Sequence, residues 1–271
     1  MRRLLLLLIA TGAACLAEGP KILIVTDMEG VGGVNDAEEQ LLPGQRRYEE
    51  SRRLLTGEVN AAVDGALSGG ASEVVIWDGH DGSRSLSIDE IHPGARLLQG
   101  RPTPANYYMA DRLYDGIMFV GQHAMAGAKN GVLAHSQSFN VQGIFLNGRP
   151  VGEIGQVAAI AGYFNIPVSM LAGDQAACEE LLALQPKAET AEVKLLAGKG
   201  STLSLSHAEA KTKIPMAAER AVRRIREFAP WKIEGPVELK FEYYPQAGVR
   251  KEPVVYRGKT VLEAYEAWLG K

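Results

Sequence analysis

The sequence has few cysteines and no surplus of basic residues, and both shortages exclude classes of protein. Two cysteines in 271 residues cannot form a disulfide framework or a zinc site built from thiolates. Lysine and arginine together number 29 against 32 aspartates and glutamates, a net charge of −3, so no basic surface for nucleic acid is predicted. A metal site in this chain therefore has to use histidine and carboxylate ligands.

Residues 1–17 have the pattern of a signal peptide. Two arginines precede an apolar run, residues 4–10, which is too short to span a bilayer as a helix. Small residues at Cys15 and Ala17 predict cleavage after Ala17 and a mature chain that is periplasmic or secreted and free of the membrane. The alternative is a lipoprotein acylated at Cys15, but Gly12 stands where that motif has leucine.

The mature chain alternates strand-like and helix-like segments. Residues 21–26 are continuously apolar and β-rich, as in a strand buried on both faces, whereas apolar residues recur at helical spacing over 48–67. Asn147 and Gly148 lie between two apolar segments and predict a hairpin turn within 139–151. Further predicted strands lie at residues 73–77, 116–120, 167–172, 191–196 and 236–241. Further predicted helices lie at residues 105–113, 153–164, 174–184, 208–228 and 260–269.

This alternation predicts an α/β fold with a mostly parallel sheet, flanking helices in a three-layer α/β/α arrangement, and an antiparallel hairpin. No repeat or linker divides the chain, and a soft sub-domain boundary is expected only near residues 184–199. Open α/β sheets bind ligands at the carboxyl ends of their strands. The residues that directly follow the predicted strands are therefore the candidates for function.

Carboxylate and imidazole side chains follow three successive predicted strands. Asp27 and Glu29 come after the first, and an extended backbone points such alternate residues to one side. Two converging carboxylates repel each other unless a cation neutralises them, and together with imidazole they suit zinc, cobalt or manganese. If one carboxylate bridges two ions, a two-metal centre results. The other candidates, in chain order, are His80, His123, His135 and Glu153.

Each candidate also has a purely structural explanation. Asp27 can cap the end of a strand, and Glu153 can favour the positive end of its helix. Asp78 and Asp81 are expected to shape a glycine-rich turn or to support His80 rather than to bind metal. The two histidines away from the strand ends are assigned to the surface and to a helix cap, respectively: His92 and His207. These separate explanations leave the clustering at the strand ends unexplained.

Five segments, VTDMEGVGG, WDGHDG, VGQHAMAG, LAHSQSF and LNGRPVGEIG, resemble in order and spacing the D-aminopeptidase DppA family, peptidase family M55. The resemblance implies one peptidase domain over residues 18–271 and two zinc ions per subunit. It also implies a ring-shaped homo-oligomer, for which a decamer is one form. It implies that Asp27 bridges the two ions. The other implied ligands are Glu29, His80, His123 and Glu153, and His135 falls on the catalytic position.

The function implied by the resemblance is removal of N-terminal residues from short peptides, and D-amino-acid peptides fit an exported protein near peptidoglycan. Three roles are open for His135: nucleophile, proton shuttle and oxyanion stabiliser. A dinuclear metallophosphoesterase is the alternative enzyme, although Asp27 and Glu29 offer two carboxylates where many such enzymes use Asp-x-His. A third reading is an exported protein that binds a metal or a peptide without turnover.

Overall fold

The computed structural model describes residues 18–100, 114–198, 200–245, 247–248 and 251–270. The predicted signal peptide, residues 1–17, and the predicted helix at 105–113 lie outside the described residues. Within the described part of the chain, no helix is long and apolar enough to cross a membrane.

Strands and helices alternate through most of the described chain. The strands are β1 (Lys21–Thr26), β2 (Glu73–Asp78), β3 (Ala95–Leu98), β4 (Gly116–Gln122), β5 (Val141–Leu146), β6 (Arg149–Val151), β7 (Val168–Asp174), β8 (Glu189–Gly198), β9 (Ser201–Ser204), β10 (Val237–Tyr243) and β11 (Val254–Gly258). The helices are α1 (Ala37–Gln40), α2 (Tyr48–Ser68), α3 (Glu153–Tyr163), α4 (Gln175–Leu184), α5 (His207–Arg223) and α6 (Val261–Leu269), with a 3₁₀ turn at Ile225–Glu227.

The larger sheet has seven strands in the order β3-β2-β1-β4-β7-β8-β9. Its pairs from β3 to β8 are parallel, and the last pair, β8 with β9, is antiparallel. β1 pairs with β2 on one side and with β4 on the other. The chain therefore adds strands on one side of β1 first and later crosses to its other side. Such a switch point opens a crevice at the carboxyl ends of the strands. The predicted mostly parallel α/β fold is confirmed.

β1 is buried on both faces because its side chains alternate between two hydrophobic clusters. Leu23 and Val25 belong to the cluster that includes residues of α3, α4 and α6. Ile22 and Ile24 belong to the cluster that includes residues of α2 and α5. Burying one such side chain contributes about 1.5–3 kcal/mol relative to leaving it exposed. The sheet therefore lies between two helical layers, and β1 lies inside it between β2 and β4.

The predicted hairpin is part of a second sheet, which is antiparallel with the order β11-β10-β5-β6. Asn147 and Gly148 have φ angles of 47° and 79°, as a two-residue turn between twisted strands requires. This sheet packs against α6, where the rings of Phe241 and Trp268 lie with centroids 5.1 Å apart. Sequence reasoning missed β11 and so did not extend the hairpin into a sheet.

Two details differ from the sequence predictions. The helix predicted over 208–228 ends at Arg223, and the 3₁₀ turn follows it. Its cap is Ser206, whose Oγ accepts the backbone N–H of Glu209 at 3.2 Å, so the assignment of capping to His207 was wrong. β8 lies across the predicted soft boundary and pairs with β7, while the division into domains stays a prediction.

Candidate metal centre

Three parallel strands deliver acidic and imidazole side chains to one end of the larger sheet. Asp27 follows β1, His80 lies two residues beyond β2, and His123 directly follows β4. Because β2 and β4 pair with opposite edges of β1, Asp27 stands between the two histidines. All three side chains belong to residues that are no more than 6% exposed. The strand order thus gathers the residues that the sequence singles out.

Two glycines let the loops that carry these side chains touch through their backbones. The N–H of Gly30 donates to the Gly121 carbonyl at 2.7 Å, and the N–H of Asp27 donates to the Val120 carbonyl at 2.9 Å. A Cβ on Gly121 would overlap the carbonyl oxygen of Asp27, and its φ of 76° favours glycine. A Cβ on Gly30 would overlap the carbonyl oxygen of Gln122. Main-chain contacts therefore fix the position of Asp27.

The carboxylate of Asp27 faces a different histidine with each oxygen. Oδ1 lies 3.0 Å from Nδ1 of His80, and Oδ2 lies 3.2 Å from Nε2 of His123. The backbone N–H of Met28 donates to Oδ1 at 2.9 Å, and Nε2 of Gln122 donates to Oδ2 at 3.0 Å. These bonds hold the carboxylate in the orientation that a ligand shared by two ions needs.

Each of the two histidines also faces a second carboxylate. Oε2 of Glu29 lies 3.1 Å from Nδ1 of His80. Oε1 of Glu153, the first residue of α3, lies 3.5 Å from Nε2 of His123. The candidate ligands therefore form two sets, each with one histidine and one glutamate, and Asp27 belongs to both.

His135 lies beside the second set. Its ring stacks on the rings of His123 and Phe139, with centroids 4.0 and 4.3 Å apart. Its Nε2 lies 3.8 Å from Oε1 of Glu153, beyond hydrogen-bond distance, and that oxygen accepts the backbone N–H of Gln137 at 2.7 Å. Nitrogen or oxygen atoms of His123, His135 and Glu153 lie within 4.8 Å of one another. By position, His135 can reach either a metal ion or a substrate beside it.

In each of the three histidines, one ring nitrogen is hydrogen-bonded to a backbone carbonyl oxygen. The pairs are His80 Nε2 with Leu41 O at 2.8 Å, His123 Nδ1 with Ala124 O at 2.9 Å, and His135 Nδ1 with Leu133 O at 2.9 Å. Because a carbonyl oxygen only accepts, the proton of each neutral ring sits on that nitrogen. The other nitrogen then presents its lone pair to the centre, which is the orientation of metal-binding histidines.

The carboxylates of the centre require positive charge beside them. Burial favours a higher pKa for Asp27, but the adjoining His123 and His80 hold that pKa well below its ordinary value. Burial favours lower pKa values for both histidines, yet the adjoining carboxylates raise these pKa values well above normal. Protons on the imidazole nitrogens supply this positive charge, but a protonated nitrogen has no lone pair with which to bind a metal ion. A metal ion supplies the same positive charge, and the nitrogen lone pairs then serve as its ligands.

Two buried polar atoms of the centre have no hydrogen-bond partner among the described residues, namely Oε2 of Glu29 and Nε2 of His123. Leaving a buried polar atom unpaired costs about 1–3 kcal/mol. Both atoms are of the types that zinc binds, and ligand atoms of Asp27, Glu29 and His123 lie within 4.8 Å of one another. The residues present therefore fit a divalent metal ion.

Comparison with known proteins identifies the family. The sequence model of peptidase family M55, described as D-aminopeptidase, matches residues 21–255. The chain belongs to this family. The D-aminopeptidase of Bacillus subtilis (strain 168) is 33% identical over 263 residues, which cover 92% of this chain and 95% of that protein. A solved structure, described as the Zn-dependent D-aminopeptidase DppA from Bacillus subtilis, a self-compartmentalizing protease, matches with a TM-score of 0.84 at 30% identity, covering 92% of this chain and 96% of its own.

Membership of the M55 family confirms the resemblance carried by the five sequence motifs. It also confirms the prediction that the chain is an enzyme, a metallo-aminopeptidase of this family. The roles of the individual ligands and of His135 stay predictions, which the distances above support.

Two residues that support the M55 centre were missed by sequence reasoning. Nζ of Lys194 is buried and donates to the carbonyl oxygens of Glu29 and Val34, which fastens the loop after β1. Gln122 holds Asp27, as described above. Gln122 ends β4, whose other residues are apolar or glycine, so a polar residue in an apolar strand was the available signal for Gln122. Lys194 lies in β8 among other polar residues and gave no such signal.

Other polar candidates lie outside the M55 centre. The carboxylate of Asp78 accepts the N–H of Leu86 and Nε2 of Gln99, both at 2.9 Å, and so shapes the turn as expected. Nε2 of His92 lies 3.0 Å from the carboxylate of Asp64, and the His92 side chain is partly exposed.

Two cavities meet at the M55 centre. One has a volume of about 240 Å³ and extends into the interior, and the other is a cleft of about 620 Å³. Asp27, Gly79, Gln137 and Glu153 line both. No lysine or arginine occurs among the described residues that line either cavity.

Proposed function

We propose that this M55 chain is a zinc-dependent aminopeptidase that removes the N-terminal residue from short peptides, including D-amino-acid peptides. The observation that carries the proposal is the paired ligand set, in which each oxygen of Asp27 faces one histidine and each histidine faces a second carboxylate. The Bacillus relative, described as a Zn-dependent D-aminopeptidase, supports the choice of zinc and of D-peptides.

The proposed stoichiometry is two zinc ions per subunit. Glu29, His80 and Oδ1 of Asp27 would hold one ion, while His123, Glu153 and Oδ2 of Asp27 would hold the other. When bound, zinc polarises a carbonyl group and lowers the pKa of a water molecule towards ~7. The protein contributes the fixed positions of these side chains.

His135 is placed to move a proton or to donate a hydrogen bond during hydrolysis. Its Nδ1–H is held by the Leu133 carbonyl at 2.9 Å, so Nε2 is the atom available for chemistry. As a shuttle, Nε2 would accept the proton of the attacking water and deliver it to the leaving amine. As an oxyanion stabiliser, a protonated Nε2 would donate to the oxygen of the scissile carbonyl. Direct nucleophilic attack by Nε2 is the third role to be tested.

The charge of the site favours a peptide amine over a phosphate ester. Asp27, Glu29 and Glu153 converge on it, while the described cavity walls carry no lysine or arginine to clamp a phosphate group. Lys129 does not line the cavities, and the guanidinium of Arg149 stacks over Trp231 at 5.0 Å. The phosphoesterase alternative therefore has no support from the described cavity walls.

We also propose that the subunits assemble into a closed homo-oligomer, a ring of ten being one form, and that the mature protein acts outside the cytoplasm. The description of the Bacillus relative as self-compartmentalizing supports assembly. A ring that encloses its active sites would admit short peptides and exclude folded proteins. Light scattering is expected to give the mass of a multimer. A monomer at micromolar concentration would contradict the proposed assembly.

Hydrolysis of matched peptides tests the proposed activity. The zinc-loaded protein is expected to cleave unblocked D- or L-alanyl dipeptides and to lose this activity when the amine is acetylated. Chelation should abolish cleavage, and added zinc should restore it. Equal cleavage of acetylated peptides, or cleavage of a phosphodiester alone, would contradict the proposal. The D/L pair measured in the same assay decides the stereochemical preference.

A further inference from the structure

The smaller cavity beside the metal centre is a mainly apolar pocket. Its volume of about 240 Å³ lies below the ~300–1,000 Å³ of a pocket for a whole drug-sized ligand, and it suits a single large side chain. Val25, Ile160 and Tyr265 line it and are at most 6% exposed. The cleft on the other side of the centre is bordered by Phe139, which is 49% exposed.

One wall of the pocket is the face of α3 that also carries Glu153. Gln156, Val157 and Ile160 line the pocket and follow Glu153 by three, four and seven residues, the spacing that places side chains on one face of a helix. Asp27 lines the same pocket. The pocket therefore begins at the proposed metal ligands and runs along α3 away from them.

The opposite wall is α6, from which Leu262, Tyr265 and Trp268 line the pocket. This helix lies beyond residue 255, where the match to the M55 sequence model ends. Trp268 is held in place by its stacking on Phe241.

Two side chains place unpaired polar atoms on these walls. Both amide atoms of Gln156 and the hydroxyl of Tyr265 are buried without a hydrogen-bond partner among the described residues. Each of the two residues is 3% exposed. Because an unpaired buried polar atom is costly, a ligand that pairs with one of them gains affinity over a ligand that does not. An apolar pocket with one polar position selects for both the shape and the polar group of its ligand.

We propose that this pocket receives the side chain of the substrate's N-terminal residue and selects large aromatic side chains, with Gln156 pairing with the hydroxyl of a tyrosine. The inference rests on the proposed function. With the free amine and the first carbonyl at the metal centre, the neighbouring side chain enters this apolar pocket. The rest of the peptide then follows the open cleft.

Peptides that differ only in their N-terminal residue test the inference. With zinc-loaded wild type, kcat/KM is expected to be at least ~10-fold higher for N-terminal phenylalanine than for alanine, and higher again by up to ~10-fold for tyrosine, the effect of one hydrogen bond. Leu262→Trp fills the pocket and should lower kcat/KM for the phenylalanine and tyrosine peptides at least ~10-fold more than for the alanine peptide, which removes these preferences. Gln156→Leu should remove only the preference for tyrosine over phenylalanine.

The matched control is Ala267→Trp, which places the same side chain on an exposed position of α6 and should keep all preferences. Zinc content and melting temperature are measured on each variant, and calorimetry with free phenylalanine and alanine gives a second readout that needs no turnover. Wild type is expected to bind phenylalanine more tightly, and Leu262→Trp to lose the difference.

Three outcomes would overturn the inference. They are the absence of any aromatic preference in wild type, equal losses on alanine and phenylalanine substrates in Leu262→Trp, and an equal effect of Gln156→Leu on every substrate. The proposed function fails separately, if no unblocked peptide is cleaved at all. Cleavage of the alanine peptide without an aromatic preference refutes the pocket assignment alone.

Discussion

Replacing Asp27 by alanine is expected to remove both metal ions, whereas replacing Glu29 by alanine should release mainly one. The reason is the division of contacts: one oxygen of Asp27 lies 3.0 Å from His80 and the other lies 3.2 Å from His123, whereas the close contact of Glu29 is with His80, at 3.1 Å. A carboxylate shared by two ions serves both sites, so its loss leaves both ions short of a ligand.

The magnitude follows from this sharing. Loss of a group that merely supports a ligand typically weakens metal binding 10–100-fold, or about 1.4–2.8 kcal/mol, so loss of a direct ligand should cost at least that much. For Asp27→Ala the cost applies at each of the two sites, and for Glu29→Ala at one. The stabilisation gained from zinc at 100 times its Kd, about 2.7 kcal/mol per site, should fall accordingly.

Metal content after dialysis, measured by mass spectrometry, tests this expectation together with the melting temperature in added zinc. We expect two ions per subunit in wild type, about one in Glu29→Ala and none in Asp27→Ala. Asp81→Ala is the matched control, because Asp81 is an exposed carboxylate that lines the cleft one residue after His80. Retention of both ions and full activity by Asp27→Ala would refute the shared-ligand reasoning.

Four further outcomes are expected. His135→Ala should keep both ions and its melting temperature while kcat falls ~10²–10⁴-fold; depleted zinc would make His135 a ligand, and near-normal kcat would exclude a chemical role. Lys194→Met leaves two loop carbonyl oxygens unpaired. It should lower the free energy of unfolding by about 2–6 kcal/mol, that is, about 1–3 kcal/mol for each oxygen. The control Lys213→Met, at an exposed position, should change the free energy of unfolding by less than about 0.5 kcal/mol. Burial raises the pKa of Glu58 from 4.5 to about 8. The folded state therefore binds a proton that the unfolded state has lost, and the free energy of unfolding should fall as pH rises through this range. Urea unfolding of chelated protein at about pH 5 and about pH 8 should show a smaller fall in this free energy for Glu58→Gln than for wild type. Protein from its native host should begin after residue 17, and an intact mass that retains Cys15 with an acyl chain would contradict cleavage.

Much of the centre could be predicted because a parallel sheet gathers the ends of its strands at one edge. The apolar runs of β1, β2 and β4 show where each strand ends, and the next polar side chains, those of Asp27, His80 and His123, are then expected to be neighbours. The short strands β3, β9 and β11 were missed because four or five residues are too few to display a period.

Features that depend on packing between distant segments could not be predicted. Lys194 reaches a loop 165 residues earlier in the chain, and in the sequence it has the appearance of an ordinary polar position in a half-exposed strand. The stacking of His135 on His123 requires the path of an irregular loop. The α6 wall of the pocket similarly depends on how the last helix folds back onto α3, which no local pattern specifies.

The glycine-mediated contact between the loops after β1 and β4 has a consequence for metal exchange. Since main-chain hydrogen bonds at 2.7 and 2.9 Å hold these loops together, we expect the proposed ligands on them to be in place before an ion arrives, so that little conformational entropy is lost when the ion binds. Cobalt or manganese would therefore enter a cage of the same shape as zinc does. Differences in the rate of peptide hydrolysis with these ions would then reflect the electronic character of the ion rather than a rearrangement of the protein.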